Sequence, residues 1–183
     1  AEADEAEADE AEAFADEVGA TVRRAVSSDH TVDNLALEVN SLKFAQNRTF
    51  ADCVEAIVRS LIGDLPVSGA PKKEKVALLK AVVGRWAPLL ARFVQSSADQ
   101  DALLAALEEC CESHEALCDV FEYALKLLYD REEELLSEEA IFRWADGAAA
   151  EDEGSLARKL LKQADAMITW LREADEDDDD ESD

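Results

Sequence analysis

Glycine and proline are scarce in this chain, six and three among 183 residues. Alanine, leucine, glutamate and lysine dominate instead, the residues that a helix accommodates at least cost. Sustained alternation of period two with turn signals is missing, so no sheet is expected. A long uncharged apolar run is also missing. The longest apolar stretch, Val76 to Val94, is interrupted by Lys80, Arg85 and Arg92 and contains Pro88, whereas a membrane span needs about 20 nearly uncharged residues. Catalytic signatures are absent too: no glycine-rich phosphate loop, no GxSxG, no HExxH and no calcium-loop pattern. Only His30 and His114 supply imidazole. Carboxylate pairs abound, but among 44 acids they say nothing about acid–base chemistry. The four cysteines (Cys53, Cys110, Cys111, Cys118) follow no paired framework, and reduced thiols in a cytoplasmic protein are expected. A chain that begins at Ala1 is expected to be a piece of a longer one.

Base is the other shortage. The formal net charge is −26, and it is uneven. Residues 1–17 carry nine acids and residues 173–183 nine more, with no base in either. Removing both ends leaves 26 acids against 18 bases, a net of −8. Such a surface repels nucleic acid and anionic membranes, and it attracts cationic protein segments.

Almost half the residues are apolar, enough for one domain with a real core. Residues 1–13, AEADEAEADEAEA, read as a low-complexity acidic leader with nothing to bury, disordered or fraying. Residues 14–174 form the folded body, and 175–183 are an acidic tail. Within the body, apolar residues recur at helical spacing. The stripes are Phe14–Val18–Val22–Val26, Leu35–Val39–Leu42, Phe50–Val54–Ile57–Leu61 and Val76–Leu79–Val83–Trp86–Leu90. They continue as Leu103–Leu107, Leu117–Val120–Phe121–Leu125–Leu128, Ile141–Trp144 and Leu160–Ala164–Met167–Leu171. Thr49 with Asp52, Ser97 with Gln100, and Ser137 supply helix-opening caps. Pro88 is expected to kink or break its helix. Leu37 and Phe44 lie on a second side of residues 31–46, as fits a helix sandwiched between neighbours. About eight helices with short connections predict an all-α, HEAT-like solenoid of stacked antiparallel pairs.

Three clusters invite a chemical reading. Cys111, His114 and Cys118 share one helix face, but one face cannot close a tetrahedral zinc site, so no metal is expected. Lys72, Lys73, Lys75 and Lys80 read as a solvated helix face on an acidic body. The C-terminal third is more specific. LLYDREEELLSEEAIFRWAD (127–146) and ADAMITWLREADEDDDD (164–180) each join an aromatic or aliphatic helix to dense acid. Trp170 sits on the flank of its stripe, and an exposed indole beside carboxylates is a good anchor for a lysine-rich partner.

These two segments resemble the paired aromatic and acidic boxes that close a small family of translation initiation factors. That family includes the epsilon subunit of initiation factor 2B, initiation factor 5 and forms of initiation factor 4G. The first box matches Tyr129, Asp130, Glu138, Glu139 and Trp144. The second matches Trp170, Leu171, Glu173, Asp175, Glu176, Asp177 and Asp178. The segment His30-x-x-Asp33-Asn34-Leu35-Ala36-Leu37-Glu38-Val39-Asn40-Ser41-Leu42-Lys43 is similar to the helix that begins the exchange domain of the epsilon subunit. Ala145 after Trp144 and the alanine–glutamate leader depart from the pattern.

The resemblance implies guanine-nucleotide exchange on the GTPase initiation factor 2, without covalent chemistry or cofactor, within an assembly of other initiation factor 2B subunits. The boxes would dock lysine-rich segments of the beta subunit. Glu38, with Leu37, would act at the nucleotide-binding gamma subunit. Two rivals stay open: an initiation factor 5-like adaptor that binds the same partner without exchange, and a generic acidic scaffold for basic peptides.

Overall fold

A computed structural model describes the backbone of residues 1–180 and the side chains through Glu176. Among the described residues eight α-helices follow one another: α1 Glu2–Val26, α2 Val32–Ala45, α3 Phe50–Leu61, α4 Lys72–Phe93, α5 Ser97–Ser113, α6 Phe121–Tyr129, α7 Glu138–Ala149 and α8 Leu156–Asp180. A 3-10 turn, Glu115–Val120, links α5 to α6, and no strand occurs among the described residues. Helices α1, α3, α5 and α7 pack in sequence as one layer, and α2, α4, α6 and α8 as the other. Helix pairs α1/α2, α3/α4 and α7/α8 join the layers. This is the all-α, HEAT-like architecture expected from the stripes.

The core runs between the layers. Trp86, Phe14, Phe93 and Phe121 are its largest fully buried side chains, and every expected stripe contributes to it. Caps fix where helices begin. The Thr31 hydroxyl accepts from the Asn34 amide, and Thr49 and Asp52 close a reciprocal capping box at α3. The Ser137 hydroxyl accepts from the Ala140 amide. At α5 the box is Ser96 with Asp99, one residue before the expected Ser97 with Gln100. Asp99 accepts from the amides of Gln95 and Ser96 at 2.8 and 2.9 Å, while the Gln100 amide oxygen turns away to accept from Ser137.

Three expectations are corrected. Helix α4 runs unbroken through Pro88. Its missing amide bond and ring clash concern the carbonyl four residues earlier. That residue is Gly84, exposed, with nothing within 4 Å of where a Cβ would stand. Lys75 is buried, not part of a solvated face. Its ammonium donates to the Ala116 carbonyl at 2.7 Å and pairs with Asp119 at 3.1 Å, tying α4 to the 3-10 turn. The leader, expected as disordered or fraying, is helical and forms the first half of α1. Alanine and glutamate are strong helix formers, and acids in the first turn complement the helix dipole. Nothing before Phe14 is buried.

Candidate functional site

Two sets of residues stand at opposite ends of the stack. At the N-terminal end, α2 opens the second layer and has only α4 beside it in that layer. Leu35 and Val39 point into the core, while Leu37 and Phe44 are 66% and 72% exposed. The expected sandwich is therefore wrong. A helix at the edge of a layer buries one face, and its second apolar side stays open. Glu38 lies between these faces. Its carboxylate is 3.6 Å from Arg24 and 3.5 Å from His30. His30 is held in turn by the Ser28 hydroxyl at 2.7 Å, and that hydroxyl donates to the Arg24 carbonyl. With 43% of the Glu38 side chain uncovered, these pairs are weak and easily exchanged. The Lys43 ammonium lies 3.9 Å over the Phe44 ring and 4.5 Å over that of Phe50.

At the C-terminal end, the first box spans the α6–α7 junction. The Tyr129 hydroxyl donates to Glu138 at 2.7 Å, joining the end of α6 to the start of α7. That carboxylate raises the phenol to about 12, because a phenolate beside it would lose the hydrogen bond and meet like charge. Asp130 and Glu139 are exposed. Trp144 is half-buried: its ring packs on Phe121, centroids 5.1 Å apart, and its indole N–H donates to Glu108 at 3.0 Å.

Trp144 also lines a groove of about 400 Å³ between α5 and α7, with Asp101, Glu108, Glu109, Glu112 and Arg143. These α5 acids escaped the sequence reading. The signal was present, since Asp101, Glu108 and Glu112 recur at helical spacing on one face.

In the second box, neighbours on α8 take opposite roles. Leu171 is fully buried, whereas Trp170 is 58% exposed. Arg172 pairs with Asp146 at 3.0 Å and lies 4.6 Å over the Phe142 ring, fastening α8 to α7. Glu173, Asp175 and Glu176 are exposed. The side chains of Asp177 and Asp178 lie outside the described residues. No hydrogen bond or aromatic pair among the described residues joins Trp170 to Tyr129 or Trp144. The boxes are thus adjacent helices of one end, not one pocket.

Of the three soft ligands, Cys111 is buried in α5, His114 is exposed at its end, and Cys118 is half-buried in the 3-10 turn. Among the described residues no group of three is arranged to hold a metal ion. Burial pushes the Cys53 and Cys110 thiols up to about 12, so they are packing residues with no thiolate chemistry to offer. No described helix is long and apolar enough to cross a membrane.

A two-layer helical stack whose last pairs present acids around aromatic side chains defines a helical-repeat domain. Residues 99–181 match the W2 family, described as eIF4-gamma/eIF5/eIF2-epsilon, and the chain belongs to that family of translation initiation factor domains. It is 32% identical to translation initiation factor eIF2B subunit epsilon of Dictyostelium discoideum over 91% of this chain. It is 29% identical to the same subunit of Schizosaccharomyces pombe over 88% of this chain. The Caenorhabditis elegans eukaryotic translation initiation factor 5 is 27% identical over 84% of this chain and 36% of its own length. The chain spans only 24% and 23% of the two epsilon subunits.

Proposed function

We propose that this domain promotes GDP release from the GTPase initiation factor 2. The C-terminal boxes dock lysine-rich segments of the beta subunit, and α2 acts at the nucleotide-binding gamma subunit. The observation that carries the reading is Leu37 beside Glu38. Leu37 and Phe44, 66% and 72% exposed, leave a second apolar side of this held helix open, and an apolar side of that kind supports a partner contact. The carboxylate next to Leu37 is tethered only by weak surface pairs.

A GTPase holds its nucleotide through Mg²⁺, a phosphate-binding lysine and backbone amides. A carboxylate brought to that site competes for the lysine and repels the phosphates. It thereby favours the nucleotide-free state, and such differential affinity is what shifts an equilibrium. Leu37, 66% exposed, supplies the apolar contact that seats the carboxylate. Arg24 and His30 release it at little cost, since exposed pairs contribute about 0–1 kcal/mol.

Glu38→Gln tests this directly, keeping size and helix propensity while removing charge. GDP release should fall by about tenfold or more, some 1.4 kcal/mol per factor of ten, with binding at the acidic boxes unchanged. Normal release by that variant refutes the role of the carboxylate. A second reading, an adaptor without exchange activity, draws on the similarity to initiation factor 5. The wild-type domain separates the two, because an adaptor binds initiation factor 2 and leaves GDP release at its intrinsic rate. Other subunits of initiation factor 2B are the neighbours this reading assigns in a cytoplasmic assembly.

A further inference from the structure

The acidity of this chain reverses in one place. Helices α2 and α4 together carry seven bases and three acids, whereas the remainder carries 11 bases and 41 acids. Two of the three acids have cationic partners already, Asp33 with Arg92 and Glu38 with Arg24 and His30. Lys43 has no carboxylate or hydrogen-bond partner among the described residues, although its side chain is 8% exposed. A lysine this covered normally holds an anion or a carbonyl, as Lys75 does. Instead its ammonium rests over the rings of Phe44 and Phe50, and its nitrogen is not among the fully enclosed polar atoms that lack a partner. Beside that ammonium stands the exposed ring of Phe44, with the exposed Leu37 two turns back on the same helix face. A cation framed by aromatic carbon and lacking an anion is half of an ion pair.

We propose that this outward face of α2 docks an acidic segment of the GTPase partner that carries a large apolar side chain. A carboxylate of that segment completes Lys43, and its apolar side chain packs against Phe44. The exposed Lys80 on α4, unpaired among the described residues, adds attraction at longer range. The partner's identity rests on the reading above, and the contact is opposite in sign to the one made by the boxes. Binding is therefore bipolar: acids at one end of the stack take a basic segment, and a cation at the other takes an acidic one.

The sign makes the test sharp. If acids alone drove binding, removing a positive charge would tighten it. Affinity of the full chain for intact initiation factor 2 is measured for Lys43→Met, which keeps the alkyl stem, for Phe44→Ser, and for Lys80→Glu. The first two should weaken binding by about tenfold, as loss of an interface anchor does. Lys80→Glu should weaken it severalfold, and only at low salt. Lys162→Glu, an exposed charge on α8, is the control and should leave affinity unchanged or raised. Unchanged thermal melts for Phe44→Ser, expected at 72% exposure, separate binding from folding.

Unchanged or tighter binding by Lys43→Met and Phe44→Ser overturns the proposal. If Asp175→Asn with Glu176→Gln still weakens binding in that case, the box reading survives alone. If the wild-type chain does not bind initiation factor 2, both readings fall. A single-stranded RNA oligonucleotide that binds wild type but not Lys43→Met, with partner affinity unchanged, assigns the face to nucleic acid and likewise overturns the proposal.

Discussion

Replacing Trp170 and Leu171 with alanine, one at a time, sets two neighbours on α8 against each other. A tryptophan presents up to about 250 Å², so the 58% that α8 leaves uncovered is roughly 145 Å². Covered by a partner at about 25 cal/mol per Å², that area is worth at most ~3.6 kcal/mol, or several hundredfold in affinity. Association costs absorb much of it, so the net loss for Trp170→Ala should be about ten- to thirtyfold. It should fall on the off-rate, because an apolar anchor sets residence time while exposed acids set encounter. Folding stability should change by no more than about 0.5 kcal/mol, as at other surface positions. Leu171, fully buried, has the opposite profile. Its alanine variant should cost about 2–5 kcal/mol of stability through lost transfer energy and a cavity. The assay pairs stopped-flow dissociation of a lysine-rich peptide with urea unfolding of each variant. An unchanged off-rate for Trp170→Ala refutes the anchor. A loss of stability matching that of Leu171→Ala refutes the exposed placement itself.

Gly63 and Gly84 should answer alanine in opposite directions. A Cβ at 63 would stand 2.3 Å from the Arg59 carbonyl oxygen and lower the melting temperature, while one at 84 meets nothing and should stabilise α4 by up to about 1 kcal/mol. Tyr129→Phe removes the bond to Glu138 and should cost about 0.5–1.5 kcal/mol in denaturant unfolding. In a Tyr123→Phe background, the phenolate absorbance of Tyr129 should rise only near pH 12, and Glu138→Gln should bring it down. Because the folded phenol titrates above its unfolded value of about 10, the stability this bond contributes is complete below that pH. It is lost as pH rises toward 12.

The helical stripes were legible because burial imposes a period that sequence displays directly. Leu35–Val39 and Leu160–Leu171 are core stripes in both readings. Layer order was not legible, and that is why α2 misled. A second apolar side on a helix reads the same whether a neighbour covers it or nothing does, and only the edge position of α2 decides. The capping shift at α5 has a local cause, since Ser96 and Ser97 are equivalent until Asp99 chooses between them. Pro88 misled because it stands on the exposed face of α4, where water can bond the Gly84 carbonyl that the ring leaves without its amide. Trp170 was placed correctly, its position off the stripe being a geometric fact of the 3.6-residue turn. Glu108, by contrast, lay outside either box, and only packing of α5 on α7 brings it to the Trp144 indole.

The helical leader has a further consequence. Coil would let its acids drift apart, but a helix strings the seven carboxylates of Glu2–Glu12 along about 15 Å, one per ~2 Å of axis. Duplex DNA carries one charge per ~1.7 Å and gathers a condensed counterion atmosphere for that reason. The first half of α1 is in this sense a short polyelectrolyte rod. A polycation that meets it sets small ions free, so the gain is largely the entropy of released salt. The logarithm of its binding constant should then fall linearly with the logarithm of salt concentration, with a slope that counts the ions released.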